Sequence, residues 1–363
     1  MKSSSRLAEW ILLYACSVGL AIAMSALLIE VTGGDWWPVV RALVDGSVLG
    51  NGRWGQTLGA AAPMLLVALG TIVSARVGLV NIGQEGQLLI GAAFAVYFGF
   101  LFGGPGPVNV FIMVLFGAIG GAVWASIAGV LRFRRGVPEV LSTLLLVTVA
   151  TQAVAYGLGN ENLLLADEAN RGNRNQVSAQ LADESRLPVL DIFGNQIPTA
   201  VFLAVGAAVL LWFVLDKTVP GFRLRMLGRN PRAAQRAGVS QQRYGLAAMA
   251  VSGAFAGVAG AVMLAGGGFQ FGNFRLVPGF SSSIGWTGLL VALVARERAL
   301  LAIPMAFVFG ALRTGSGFVN STGVEGLITD VVQGFLVLAL LIPPAVVAIR
   351  DRRRARSATV ART

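Results

Sequence analysis

The chain has 363 residues, of which 55% are hydrophobic and only 12% are charged, and this composition excludes a water-soluble globular domain. The absence of histidine excludes His metal ligands, His general bases and His proton relays, and the single cysteine, Cys16, excludes an intrachain disulfide. The net charge of +11 would indicate nucleic-acid binding in a soluble protein, but here the basic residues gather in short segments between apolar runs.

Ten apolar runs follow one another, and most have the length of about 17–25 residues that crosses a hydrocarbon core of roughly 30 Å. They predict an all-α fold: a polytopic membrane protein with about ten transmembrane helices in a single domain, residues 1–349, followed by a basic tail, residues 350–363. The predicted spans are residues 7–31, 57–75, 86–102, 108–131, 139–159, 199–215, 244–265, 284–295, 299–312 and 327–349.

The first run follows Lys2 and Arg6, as the apolar part of a signal peptide does. Its apolar length of about twenty residues exceeds the roughly 7–15 of a typical signal peptide, and no clear small-residue cleavage site follows. We therefore predict an uncleaved first span whose N-terminus lies inside.

The distribution of lysine and arginine supports ten spans with both termini inside, because basic residues are enriched in the inner loops of membrane proteins. With this topology, 21 of the 28 Lys and Arg residues fall on the inside. An odd number of missed spans would place several basic loops outside. The basic charge is therefore explained by membrane topology, and no nucleic-acid partner is predicted.

The longest polar stretch, residues 160–198, lies outside in this topology and carries six acidic residues and three arginines. Its 39 residues are long for a connection between two helices. We predict an external loop that is either ordered or partly disordered.

A polar, glycine-rich motif separates the second span from the third. Residues 76–91 contain four glycines, an asparagine, two glutamines and a glutamate. Glycine permits close approach of backbones, and a carboxylate between two membrane-length runs is costly unless it faces water or protein. Two interpretations stay open: a glycine-rich connection between two helices, or an irregular, polar-lined segment beside a transport pathway.

The sequence GLVNIGQEG at residues 78–86 resembles the motif of permease subunits of ATP-binding-cassette importers, in the branch that handles branched-chain amino acids, ribose-like sugars and nucleosides. Its form is nearest to the nucleoside-type permeases, because the ribose-type ones are richer in Asp and Ser here. The resemblance extends, with gaps, from about Thr57 to Pro344. It implies a permease that binds no cofactor itself and is driven by ATP and Mg²⁺ on separate ATPase subunits.

An internal repeat agrees with this resemblance. The pattern Ile-Gly-x-x-Gly-x-Leu occurs at residues 82–88, where the third span begins, and again at residues 284–290, where the eighth begins. Because these spans differ by five, an odd number, the two copies enter the membrane from opposite faces. The match predicts an inverted repeat of spans two to five against seven to ten, with the substrate path where the repeats meet.

The basic connection after the sixth span, residues 217–243, contains a predicted helix of about two turns. Asn230 suits a helix cap, Pro231 suits the first helical position, and Gly238 suits the stop. The connection is either a basic loop that sets topology and touches anionic lipid, or a coupling helix. Its pattern LGxNPxAAxxAG resembles the coupling segment of the permease family, which implies that six residues dock on the ATPase: Asn230, Pro231, Ala233, Ala234, Ala237 and Gly238.

Two further stretches bear on the substrate. Small residues at 252–261 in the seventh span permit close helix packing or a subunit interface. The outer segment that follows, residues 266–285, contains aromatic side chains that could stack on a base or sugar, and amides and hydroxyls that could bond its polar edge. An aromatic belt at the membrane interface, with a turn, explains the same residues equally well. The candidate pathway residues are Asn81, Gln84, Glu85, Gln87, Gln270, Phe271, Asn273, Phe280, Ser281 and Trp286.

The two acidic residues at helix starts receive separate interpretations. Glu85 is expected near the inner face, where it either pairs with Arg76 as a structural lock or faces the pathway. Glu139, directly after Pro138, is expected to complement the dipole of a helix start rather than to bind substrate.

We predict the permease subunit of an ATP-driven importer, which forms the path for a small polar solute. A nucleoside is the first choice, and a simple sugar such as ribose is the alternative. The expected partners are ABC ATPase subunits, a second and unlike permease, an extracytoplasmic substrate-binding protein and membrane lipid. The expected location is the bacterial cytoplasmic (inner) membrane.

Other functional classes rank lower. The chain lacks a Gly-x-x-x-x-Gly-Lys-Ser/Thr phosphate loop, since neither of its lysines, Lys2 and Lys217, follows a glycine, so it is not expected to be an enzyme that hydrolyses ATP. An ion-coupled secondary transporter usually places charged or His groups mid-membrane, and these span centres carry almost no charge. An intramembrane enzyme would need paired catalytic residues, which the sequence does not offer.

Overall fold

The fold is taken from a computed structural model, which describes residues 2–31, 33, 35–160, 162–165, 176–266 and 274–319. Near the C-terminus it also describes residues 331, 334–335, 338–339, 342–343, 346–347 and 349–350. The candidate residues Gln270, Phe271 and Asn273 lie outside the described residues, as do much of the predicted tenth span and the tail beyond residue 350.

In the described part of the chain, α-helices follow one another, with longer connections between α6 and α7 and between α10 and α11. They are α1 Lys2–Val31, α2 Trp36–Val44, α3 Arg53–Arg76, α4 Gln84–Phe102, α5 Gly106–Arg135, α6 Glu139–Leu158, α7 Ala200–Lys217, α8 Val219–Arg229, α9 Pro231–Arg236, α10 Gln241–Ala265, α11 Ile284–Val294 and α12 Ala299–Val319. Two short strands, β1 Val189–Ile192 and β2 Asn195–Pro198, pair antiparallel. A π-helical turn occupies Asp45–Leu49, and a 3-10 turn occupies Asp183–Ser185.

Seven helices in the described residues are long and apolar enough to cross a membrane: α3, α4, α5, α6, α7, α10 and α12. Two shorter apolar helices, Ala15–Val31 within α1 and the whole of α11, fall below that length. The predicted all-α, polytopic class is confirmed. The count of ten spans stays a prediction, as does the inverted repeat.

Local sequence explains where several helices begin and end. Gly136 ends α5 in the left-handed conformation, with φ +71°, which glycine adopts without strain. Asn230 and Ser240 cap α9 and α10, because their side chains accept the backbone N–H groups of Ala233 and Arg243 at 3.1 and 3.3 Å.

The chain divides into two compact units, and the prediction of one domain over residues 1–349 is not tested by this division. The first unit comprises Met1–Arg53 and Ala311–Thr363. Its described core is a cluster of Ile29, Val39 and Val319, against which Trp36 and Leu43 pack. The second unit, Trp54–Gly310, contains the motifs singled out in the sequence.

The core of the second unit is a three-helix contact made by glycines. Helices α4, α5 and α10 pack so closely that a Cβ atom on Gly257 would overlap the carbonyl oxygen of Gly117. A Cβ on Gly121 would overlap the carbonyl oxygen of Gly253 in the same way. The small-residue face predicted at 252–261 therefore serves close helix packing within the chain.

The described part of the external stretch is folded rather than free of structure. Ser178 and Leu181 donate backbone N–H groups to the carbonyls of Leu276 and Phe274 at 3.0 Å, next to the segment that precedes α11. The β1–β2 hairpin then leads directly into α7, with Phe193 fully exposed at its turn. This hairpin is a small departure from the all-α prediction.

Candidate functional site

Helix α11 covers only half of the membrane depth. Its 11 residues measure about 16.5 Å at 1.5 Å per residue, against roughly 30 Å for a hydrocarbon core. Its Gly288 packs against Met64 and Val67, in the middle of α3. Just beyond its end, the Glu297 carbonyl accepts a hydrogen bond from Arg76, the last residue of α3, at 3.4 Å. Helix α11 therefore runs beside the C-terminal half of α3.

Helix α4 also begins inside the helical bundle. The Gln84 amide donates to Thr71 of α3 at 3.0 Å and to Ser252, in the middle of α10, at 3.1 Å. Residues 77–83 consequently turn back from the end of α3 to this depth. The N-termini of α4 and α11 meet there, which is the arrangement of discontinuous helices that surrounds substrate sites in transporters.

Glu85 joins the two helix N-termini. Its buried carboxylate accepts the Ser281 hydroxyl and the Ser283 N–H on Oε1, at 2.5 and 3.1 Å, and the Gly285 N–H on Oε2 at 2.6 Å. A carboxylate at the first turn of α11 satisfies N–H groups that have no partner within the helix, and it complements the positive end of the helix dipole.

The expected position of Glu85 near the inner face is wrong, and so is one of its two interpretations, the pairing with Arg76. The residue lies at mid-depth rather than near the inner face, because residues 77–83 fold back into the bundle. Arg76 pairs instead with Asp216, with 3.4 Å between Nη1 and Oδ1. Glu139, in the first turn of α6, forms an ion pair with Arg132 at 3.1 Å, as suits an acid at a helix start.

The turn before α11 is strained and presents polar groups. Ser282 and Ser283 have φ of +45° and +66°, a left-handed conformation that costs non-glycine residues roughly 1 kcal/mol or more each. Both serines are exposed, whereas the preceding Phe280 and Ser281 are buried. A Cβ on Gly285 would overlap the backbone nitrogen of Glu85, so only glycine fits where the helix starts meet.

The candidate amides of the motif hold α4 in place. Asn81 donates to Gln87 and to Ser252, both at 2.9 Å, and accepts from Gln87 at 2.9 Å and from the Gly83 N–H at 3.1 Å. Asn81, Gln84 and Gln87 are each at most 1% exposed. Of the side-chain amide atoms of Asn81, Gln84 and Gln87, only Gln84 Oε1 is buried without a hydrogen-bond partner among the described residues. Contact of these amides with substrate stays a prediction, as it does for Phe280, Ser281 and the half-buried Trp286.

A polar face on α6 was missed by the sequence reasoning. Thr148, Thr151, Gln152 and Tyr156 are all exposed, and their spacing of three and four residues places them on one side of the helix. The opposite side of α6 packs against the start of α4, because Gly86 touches Val147 and Ala150. The helical spacing of polar residues within an apolar run was the signal that could have found this face.

The predicted coupling segment is two helices, α8 and α9, separated by Asn230. Ala234 is fully buried in a cluster with Leu227 and Val239, so it anchors α9 rather than lying on its surface. The other five predicted docking residues, Asn230, Pro231, Ala233, Ala237 and Gly238, are exposed. Their contact with an ATPase stays a prediction.

Comparison with known proteins places this geometry in context. Residues 55–341 match the family model described as branched-chain amino acid transport system / permease component. The guanosine ABC transporter permease protein NupP of Bacillus subtilis is 31% identical over 88% of this chain and 89% of its own length. The glucose permease TsgB13 of Haloferax volcanii is 31% identical over 79% and 75%, and the nucleoside permease NupB of Lactococcus lactis is 28% identical over 82% and 81%.

Proposed function

The chain belongs to the branched-chain amino acid transport system / permease component family, a multi-pass membrane permease, and on this premise we propose that it forms the path of an ATP-driven nucleoside importer. The observation that carries the proposal is the meeting of the α4 and α11 N-termini at mid-depth, held by Glu85. Relatives that carry guanosine and nucleosides support the choice of solute, and the glucose permease supports a simple sugar as the alternative.

The polar face of α6, with Thr148, Thr151, Gln152 and Tyr156, lies on the side of that helix away from the start of α4, so it is not placed on the proposed path. The path passes instead along the turn before α11, where the exposed hydroxyls of Ser282 and Ser283 can bond the polar edge of a solute. Such weak, distributed contacts let a solute enter and leave, which transport requires.

The driving force is proposed to come from separate subunits, with ATP and Mg²⁺ on the ATPase. Five exposed residues around α9 form the proposed docking surface. A second, unlike permease is supported by relatives that occur as pairs in one organism, NupP with NupQ and NupB with NupC. An extracytoplasmic binding protein is proposed to deliver the solute.

We expect nucleosides, and not sugars, to stimulate ATP turnover by the complete transporter. The assay uses the permease pair, the ATPase and the binding protein in proteoliposomes, with guanosine, uridine, ribose and glucose as separate solutes. Stimulation by ribose or glucose alone would move the assignment to the sugar alternative. Uptake by this chain without ATPase, under an ion gradient, would contradict the importer itself.

Ala233→Asp is expected to uncouple transport from ATP hydrolysis while the permease still inserts. Ala233 is exposed on α9, so a charge there is tolerated by the fold but opposes close docking of a helix in a groove. We expect solute-stimulated ATP turnover to fall about tenfold, as one to two unfavourable kcal/mol at a docking surface would produce. Gln242→Asp, at an exposed position in the first turn of α10, is the control and should retain full coupling.

A further inference from the structure

A cavity of about 710 Å³ lies beside the proposed docking surface, between the ends of α3 and α7, helix α8 and the start of α12. Its lining brings together positive charge and apolar side chains. The arginines that line it are Arg76, Arg225, Arg229, Arg296 and Arg298. None of the candidate pathway residues that the structure describes belongs to this lining.

Five arginines line the cavity against two acidic residues, Asp216 and Glu297, so its charge is positive on balance. Asp216 accepts from Arg225 at 2.5 Å and from Arg76 at 3.4 Å, so one carboxylate serves two guanidinium groups. Arg229 and Arg298 form no ion pair with any residue that the structure describes. Both side chains are exposed, so their guanidinium groups can be reached from the cavity. This surplus of positive charge suits an anion with several acceptor oxygens.

The apolar part of the lining distinguishes between possible anions. Trp212, Leu300 and Leu301 form walls of the same cavity. Nearby on α7, Leu210 and Phe213 are 63% and 52% exposed, as expected of side chains that face lipid. The cavity also lies where α3 ends and α12 begins, and both are helices long and apolar enough to cross a membrane. A ligand with a phosphate and an adjoining apolar body fits this lining better than a free phosphate does.

We propose that the cavity binds the phosphate of an anionic phospholipid of the inner leaflet, with its acyl chains along α7 and the start of α12. The phosphate accepts from the exposed guanidinium groups of the rim arginines, Arg229 and Arg298. Because Arg229 directly precedes the Asn230 cap of α9, the bound lipid fixes the base of the proposed docking segment. A basic loop that only touches anionic lipid through its charge would need neither a defined cavity nor a lining that combines arginines with apolar side chains.

The test compares phosphatidylglycerol with phosphatidylcholine on the complete transporter in nanodiscs. Native mass spectrometry counts the retained lipids, and thermal unfolding reports their stabilising effect. We expect Arg229→Gln with Arg298→Gln to retain one fewer phosphatidylglycerol and to weaken its binding roughly thirtyfold, since each arginine near an anionic surface contributes about fivefold. The matched control is Arg134→Gln with Arg135→Gln, two exposed arginines at the end of α5, which should bind phosphatidylglycerol as the unaltered protein does.

Three results would overturn the proposal. Equal weakening in both double variants would show a diffuse charge effect rather than a site. Stabilisation by inorganic phosphate alone, lost in Arg229→Gln with Arg298→Gln, would identify a soluble anion. Unchanged phosphatidylglycerol binding together with loss of the ATPase subunit would identify the cavity as a protein contact. Because both rim arginines are exposed, their substitution should not prevent folding, and the phosphatidylcholine arm reports this directly.

Discussion

Gly257→Val is expected to prevent assembly of the permease. A Cβ at this position would overlap the Gly117 carbonyl oxygen and lie within 3.1 Å of the Gly121 nitrogen, and both obstacles are backbone atoms that cannot rotate away. Adding a few methylenes to a packed core typically lowers the free energy of unfolding by about 1–3 kcal/mol. Gly257→Val should cost more than this, because α5 and α10 would have to move apart as whole helices. The expected result is loss of the monodisperse peak in size-exclusion chromatography of the detergent-solubilised protein.

Gly206→Ala provides the matched control. Gly206 lies within α7, where an added Cβ would meet no atom within 4 Å. Alanine is the better helix former by about 1 kcal/mol, so this variant should be at least as stable as the unaltered protein. If Gly257→Val and Gly206→Ala gave the same yield and melting temperature, the close packing of α4, α5 and α10 would be contradicted.

The sequence predicted most helices because their apolar composition is a strong local signal. The second span was predicted at residues 57–75 and is found within α3, Arg53–Arg76, and the third was predicted at 86–102 and is α4, Gln84–Phe102. The cap at Asn230 was also readable, and the stop predicted at Gly238 is close to the end of α9 at Arg236, since both depend on neighbouring residues alone. Such features need no knowledge of the tertiary fold.

The candidate site was only partly readable, because its bonds join distant parts of the chain. Ser281 lies 196 positions from Glu85, and the sequence offered Arg76 as a nearer partner of opposite charge. Nothing local indicates that residues 77–83 fold back to mid-depth, which is what removes Glu85 from Arg76. Similarly, the small-residue pattern around Ala234 gave no indication of which alanine is buried and which is exposed.

Glu85→Ala is expected to abolish solute uptake while the helical bundle still assembles. The substitution removes the only acceptor that the described residues offer to the Ser281 hydroxyl, and it leaves the Ser283 and Gly285 N–H groups without their carboxylate. Hydrogen bonds to charged groups contribute about 1.5–3 kcal/mol each, so the three together amount to roughly 4 kcal/mol or more. These three hydrogen bonds outweigh the backbone strain of the left-handed residues Ser282 and Ser283. Without the bonds, the strain is no longer offset, and the turn should relax away from α4. Hydrogen exchange over residues 277–285 measures that release, and ATP-driven uptake in proteoliposomes measures its consequence.

Two controls separate the role of the carboxylate at Glu85 from that of an acid at any helix start. Glu85→Gln keeps one acceptor oxygen, but its amide N–H₂ group replaces the oxygen that accepts the Gly285 N–H at 2.6 Å, so two donors would face each other there. Uptake by this variant should therefore lie between that of the unaltered protein and that of Glu85→Ala. Glu139→Gln removes an acid from the first turn of α6, where its partner Arg132 is 40% exposed, and a pair of this kind contributes about 0–1 kcal/mol. Uptake by Glu139→Gln should therefore be nearly unchanged. Normal uptake and unchanged exchange in Glu85→Ala would contradict the proposal, because the meeting of the two helix starts would then be held by packing alone.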